Sequence, residues 1–180
     1  DPALAGIFSS YQVSVPKIQA DIDREKARAQ GVSLTDLFET MHAAKGVGLA
    51  ANQVGVARRI AVVEAEGERL VLINPRILAS QGKETGEEGC LSIPDYYADV
   101  TRPEQVTVEA LDEQGQRWEK TLTGLPARAV QHEIDHLDGI LFLDHLSLLK
   151  RKRMLAKYKK EHADDPGFIK PVATVPPEKG

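Results

Sequence analysis

His132, Glu133 and His136 fall within five consecutive residues, His-Glu-Ile-Asp-His, and their spacing constrains this chain more than any other feature. In an α-helix, residues four apart lie on one face a single turn apart, so the two imidazoles can grip one ion with Glu133 beside it. Two histidines leave a divalent ion short of ligands, because a catalytic zinc-type site takes three protein ligands and keeps one position for water. The third ligand must come from elsewhere in the chain. The same pentapeptide also arises by chance on a solvated helix rich in Glu and His, so the surrounding sequence has to decide.

The chain has 180 residues, 42% of them hydrophobic, enough for one domain with a proper core and short for two. The expectation is a single catalytic domain over residues 1–166 and a mobile tail over 167–180, where Pro171, Pro176 and Pro177 cluster. Ser33-Leu-Thr-Asp reads as a capping box, and Leu34, Leu37, Phe38 and Met41 follow at helical spacing, predicting a helix that stops near Gly46. Short β-rich runs at 60–63 and 70–73 predict a hairpin whose second strand ends at Asn74 and Pro75. Runs at 106–111 and 117–122 predict a second hairpin, turning at 112–115. Pro126 suits the first turn of the helix that carries His132 and His136, and Gly139 suits its end. A last helix begins near Asp144 or Ser147 and reaches about His162, while residues 1–32 predict only a short strand at 11–15 and a helical stretch at 21–29. Hairpins followed by a helix point to an α+β fold: antiparallel or mixed sheets packed around a central metal-binding helix, with one helix in the N-terminal half and one at the C-terminus.

The third ligand decides the class. One protease family places a His six residues after the second His, where this chain has Phe142, and His145 lies three residues too far. Another uses a downstream Glu, for which Glu161 in a basic helix is a poor candidate. A better candidate is upstream, in Glu87-Glu-Gly-Cys90-Leu-Ser92, where a thiol sits in a glycine-punctuated segment able to bend toward the helix. Cys90 is the only cysteine, so no disulfide forms within the chain and a reducing, cytoplasmic setting is expected. A lone cysteine is commonly a small buried apolar residue, yet beside a histidine pair lacking one ligand the thiolate reading is preferred. A third segment, Gly46-Val-Gly-Leu-Ala-Ala-Asn-Gln53, ends in a neutral amide that can donate to a developing oxyanion; its glycines equally suit tight packing after a helix.

These three segments, in this order, resemble the signature motifs of the peptide deformylases, over a span from about Asp36 to the basic helix; Asn52 stands where that family often carries Pro or Thr. The resemblance implies hydrolysis of the N-formyl group from the initiator methionine of nascent polypeptides. It implies Cys90, His132 and His136 as metal ligands, Glu133 as general acid and base, and Gln53 with the Leu91 backbone N–H as oxyanion donors. Position-matching places Val47, Leu125 and Ala129 near the methionine side chain, with the backbones of Gly48 and Gly89 pairing along the peptide; Leu125 and Ala129 are equally well explained as helix core. Fe(II) is the implied physiological ion, and a His2Cys site also accepts Zn(II), Ni(II) or Co(II).

Seven of the 23 Lys and Arg lie in residues 150–160, with no acid among them, leaving 16 against 27 Asp and Glu elsewhere. Lys150, Arg151, Lys152 and Arg153 can contact ribosomal RNA, or form a solvated helix with Met154, Leu155 and Tyr158 turned inward. No apolar run is long enough to span a bilayer and no signal-like segment opens the chain, so a membrane is not an expected partner; nor is DNA. A zinc endopeptidase, and an RNA-binding protein with a structural metal, remain the competing readings; the second needs a fourth ligand that no other cysteine can supply.

Overall fold

The computed structural model describes residues 33–162, which form three helices and seven strands with every strand pairing antiparallel. Helix α1 is Leu34–Ala43, and Ser33 caps it as its sequence predicts: the Asp36 N–H donates to Ser33 Oγ at 3.1 Å while the Ser33 N–H donates to Asp36 Oδ2 at 3.3 Å. Strands β1 (Gly48–Ala50), β2 (Ile60–Ala65), β3 (Glu68–Gln81), β6 (Gln105–Leu111) and β7 (Arg117–Thr123) form one sheet in the order β1-β2-β3-β6-β7. Strands β4 (Glu84–Cys90) and β5 (Ile93–Arg102) pair separately as a long hairpin. Helix α2 is Gly124–Leu137 and helix α3 is Leu148–Glu161.

Helix α2 lies across the five-stranded sheet because both present small and β-branched apolar side chains. Ala127, Ala129, Val130 and Ile134 pack onto Ala61, Val63, Leu72, Val106, Val108 and Leu122. Alternation explains the sheet face: Val106, Val108 and Ala110 are buried while their neighbours are less so. Strand β2 is covered on both sides, since Val62 points the other way into a second cluster with Leu37, Phe38 and Met41 of α1. A third cluster joins Cys90, Ile93, Tyr96 and Val100 of the β4–β5 hairpin to Phe142, Leu143 and the inward side of α3, namely Met154, Leu155 and Tyr158.

Two expectations need correction. The strand predicted to end at Asn74 and Pro75 runs on to Gln81. The register with β6 shifts between Ile73 and Arg76, and Asn74 takes a φ of 52°, so Pro75 occupies an irregularity where the ladder asks no N–H of it. The segment around Cys90, read as a glycine-punctuated stretch able to bend, pairs with β5 as a strand, and its register shifts between Gly89 and Cys90. Its glycines serve close approach: a Cβ on Gly86 would lie 3.2 Å from the Arg128 guanidinium, and one on Gly89 would lie 2.6 Å from the Tyr97 ring. The expected elements at 11–15 and 21–29, and the tail at 167–180, lie outside the described residues.

Candidate metal centre

Strand β4 delivers Cys90 at its last residue, and α2 turns His132 and His136 toward it. Cys90 Sγ lies 3.1 Å from His136 Nε2, which lies 3.1 Å from His132 Nε2. The three potential ligand atoms all fall within 4.8 Å of one another, on side chains that are buried or nearly so. One sulfur and two imidazole nitrogens converging in this way fit a soft divalent ion with a coordination position to spare. His145, weighed in the sequence as a ligand, instead meets Asp135 through Nε2 at 2.7 Å.

Charge is concentrated around the three. Burial alone would raise the Cys90 thiol, but hydrogen bonds and charge from His132 and His136 override it and bring it down to about 5. Burial alone would lower His132, yet its interactions with Cys90 and Glu88 raise it to about 10. The cluster thus favours a thiolate, the form in which sulfur ligates a metal. Glu133 is 4% exposed, and its Oε2 has no hydrogen-bond partner among the described residues. Burial raises its carboxyl to about 7 against the opposing pull of the two histidines. A carboxylate so poised takes and returns protons near neutral pH.

Strand β1 and the turn after it form the opposite wall. Gly48 is the position at which Glu133 crosses the backbone, where a Cβ would sit 2.4 Å from Glu133 Oε1. Gln53, in the 3-10 turn Ala51–Val54, is fixed at both ends of its amide. Its Oε1 accepts from the Ala50 N–H at 2.9 Å, and its Nε2 donates to Ser92 Oγ at 3.0 Å and lies 4.0 Å from Cys90 Sγ. Leu91 packs its side chain into the α1 cluster. Val47 and Leu125 are each 40% exposed, whereas Ala129 is 5% exposed and belongs to the main core under α2.

A second tier of residues that the sequence did not single out supports these side chains. Glu88 Oε2 bonds His132 Nδ1 at 3.1 Å, leaving Nε2 for the ligand position. The same carboxylate takes Arg102 Nε at 2.6 Å, Arg102 Nη2 at 3.0 Å and Arg128 Nη1 at 2.7 Å. Burial would raise Glu88, but His132 and Arg102 hold it down at about 2. Arg102 also reaches Asp135 at 2.8 Å, a residue between the two histidines in sequence. Ser92 contributes twice, accepting from Gln53 and donating its N–H to Cys90 Sγ at 3.4 Å. Glu88 and Ser92 flank Cys90 closely, which was the available signal; nothing local marks Arg102.

Many known proteins are similar to this chain. Residues 15–152 match the sequence model described as polypeptide deformylase, a span beginning earlier than the motifs alone indicate. A peptide deformylase of Alkalilimnicola ehrlichii is 51% identical over 153 residues, covering 83% of this chain and 83% of that one. The crystal structure of a peptide deformylase from Legionella pneumophila superposes with a TM-score of 0.65 at 45% identity, covering 81% of this chain and 86% of that one. A peptide deformylase from Synechococcus elongatus, solved in complex with actinonin, gives a TM-score of 0.64 at 44% identity over 68% of this chain and 70% of that one. Matched in sequence over most of its length and in fold throughout the described core, the chain belongs to the polypeptide deformylase family of hydrolases.

Proposed function

We propose that this chain hydrolyses the N-formyl group of the initiator methionine on nascent polypeptides, releasing formate and a free α-amine. The observation that carries the reading is the meeting of Cys90, His132 and His136 beside a buried Glu133 oxygen that has no hydrogen-bond partner among the described residues. Cys90 Sγ and the Nε2 atoms of His132 and His136 would hold one divalent ion, Fe(II) in the cell by family membership, with Zn(II), Ni(II) or Co(II) acceptable to the same donors. When bound, that ion supplies a Lewis acid and a water of lowered pKa.

The chain's own residues carry the proton and charge traffic. Glu133 accepts the proton of the attacking water and returns it to the departing nitrogen, so that water and formamide become formate and amine. Negative charge gathers on the formyl oxygen, and the Gln53 Nε2–H and Leu91 N–H donate to it. Gln53 suits this role because it is neutral and its Oε1 is already tied to Ala50, which aims the nitrogen toward Cys90. The backbones of Gly48 and Gly89 lie along the peptide, and the partly exposed Val47 and Leu125 receive the methionine side chain. The basic face of residues 150–160 holds the enzyme near ribosomal RNA.

Formate release from a formyl-Met dipeptide, measured with metal content on the same sample, tests the reading. Turnover that follows metal loading is expected, along with inhibition by actinonin, the compound bound by the Synechococcus relative. Fully loaded protein that releases no formate, or that cleaves internal peptide bonds instead, would overturn it.

A further inference from the structure

The turn presenting Gln53 is fastened to two elements by consecutive side chains. Asn52 is solvent-exposed, yet its Nδ2 donates to the backbone carbonyl of His136, near the C-terminal end of α2, a carbonyl that also accepts the Gly139 N–H at 3.1 Å. Gln53, the next residue, reaches the other way, to Ser92 Oγ at 3.0 Å and toward Cys90 Sγ at 4.0 Å. The same loop adds a third link, from Arg59 Nη1 to the Leu137 carbonyl at 3.3 Å and to Asp138 Oδ1 at 2.5 Å. The turn itself closes locally, with the Gly55 N–H returning to Asn52 O at 3.1 Å and Gly55 in the left-handed region at a φ of 86°. Local closure shapes the turn but does not fix its direction relative to α2.

We propose that Asn52 is a positioning residue: by tying the turn to the carbonyl of His136, it sets the direction from which the Gln53 amide meets the reacting oxygen. The inference rests on the deformylase reading of the site. Because Asn52 is exposed, truncating it opens no cavity, and its effect on stability is expected to be small. Its effect on catalysis is larger, since donors that stabilise a developing charge act only at the right distance and angle, and a displacement of about 1 Å costs up to roughly a hundredfold in rate.

The test is a double-mutant cycle on the full, zinc-loaded chain: wild type, Asn52→Ala, Gln53→Ala and the double variant, assayed for formate release from a formyl-Met dipeptide and for zinc retention against a chelator. Asn52→Ala is expected to lower kcat about tenfold with KM and zinc retention within about twofold, and Asn52→Asp, which faces a carboxylate toward the carbonyl, to lose at least as much. In the Gln53→Ala background the Asn52→Ala change should alter kcat by less than about twofold, because the group it positions is gone. Multiplying losses in the double variant, zinc loss in step with activity, or an unchanged kcat in both single Asn52 variants would each overturn the inference. A zinc-loaded wild type without formate release would remove the deformylase reading, and the inference with it.

Discussion

At Gly48 the absence of a side chain is what lets Glu133 reach the centre. A methyl group there would fall 2.4 Å from the carboxylate oxygen and 2.8 Å from Cδ and Cγ, so Gly48→Ala must displace Glu133 or the strand. Gly48→Ala is expected to retain metal and lose catalysis; activity within twofold of wild type would show that Glu133 has room to move. Direct removal makes the same point, with Glu133→Ala expected to keep the ion and lower kcat by about 10²- to 10⁴-fold. Loss of the ion in that variant would make Glu133 a ligand. Gln53→Ala should cost kcat roughly a hundredfold or more at unchanged metal content, the usual consequence of losing one oxyanion donor. These residues were legible because their chemistry is local: two imidazoles and a carboxylate in five positions, an amide closing a small-residue segment. Glu88 and Arg102 were not, since a charged residue in a strand declares its partner only once the strand is placed.

The elements differ in how far their sequence announces them. Helix α1 carries its own start signal, and Ser33→Ala should cost about 1 kcal/mol of stability, read from the midpoint of denaturant unfolding; no shift would mean that the Asp36 bond is replaced by water. Strands β2 and β6 were readable from their β-rich apolar runs, and β7 from its place after the turn at 112–115. Strand β4 was not, because Glu84, Glu87, Glu88, Gly86 and Gly89 are poor strand formers, and only pairing with β5 and contact with Arg128 and Tyr97 make them one. The hairpin is held to α2 by charge: Arg102 on β5 bridges Glu88 on β4 and Asp135 on α2. Both Arg102 and Glu88 are nearly inaccessible, so Arg102→Leu leaves the buried Glu88 carboxylate to Arg128 and His132 alone and is expected to cost about 2 to 3 kcal/mol. A loss under 1 kcal/mol would show that the pair is solvated in solution.

The molecule as a whole brings residues 53, 90 and 132–136 together from three elements, and an ion bound by Cys90, His132 and His136 should tie the hairpin to α2. With free zinc about a thousandfold above its dissociation constant, the loaded chain should be more stable than the chelator-treated one by about 4 kcal/mol. Identical unfolding midpoints in the two states would mean that the folded chain holds no ion. The basic residues of α3 project from a helix with no fully buried residue, anchored through Met154, Leu155 and Tyr158. Ribosome cosedimentation is expected to fall with added salt and with charge reversal of Lys150, Arg151, Lys152 and Arg153; persistence after reversal would place any contact elsewhere. No helix among the described residues is long and apolar enough to cross a membrane. What the sequence determined by itself was everything with a short period: the histidine spacing, the capping box, the apolar alternation and the order of three motifs. Tertiary structure alone decided that β4 is a strand, that Glu88 orients His132, that Ala129 is core and that Asn52 grips the end of α2. Those outcomes depend on which residues distant in the chain approach within a few ångströms, and buried charge and glycine contacts acquire their meaning only after that approach is made.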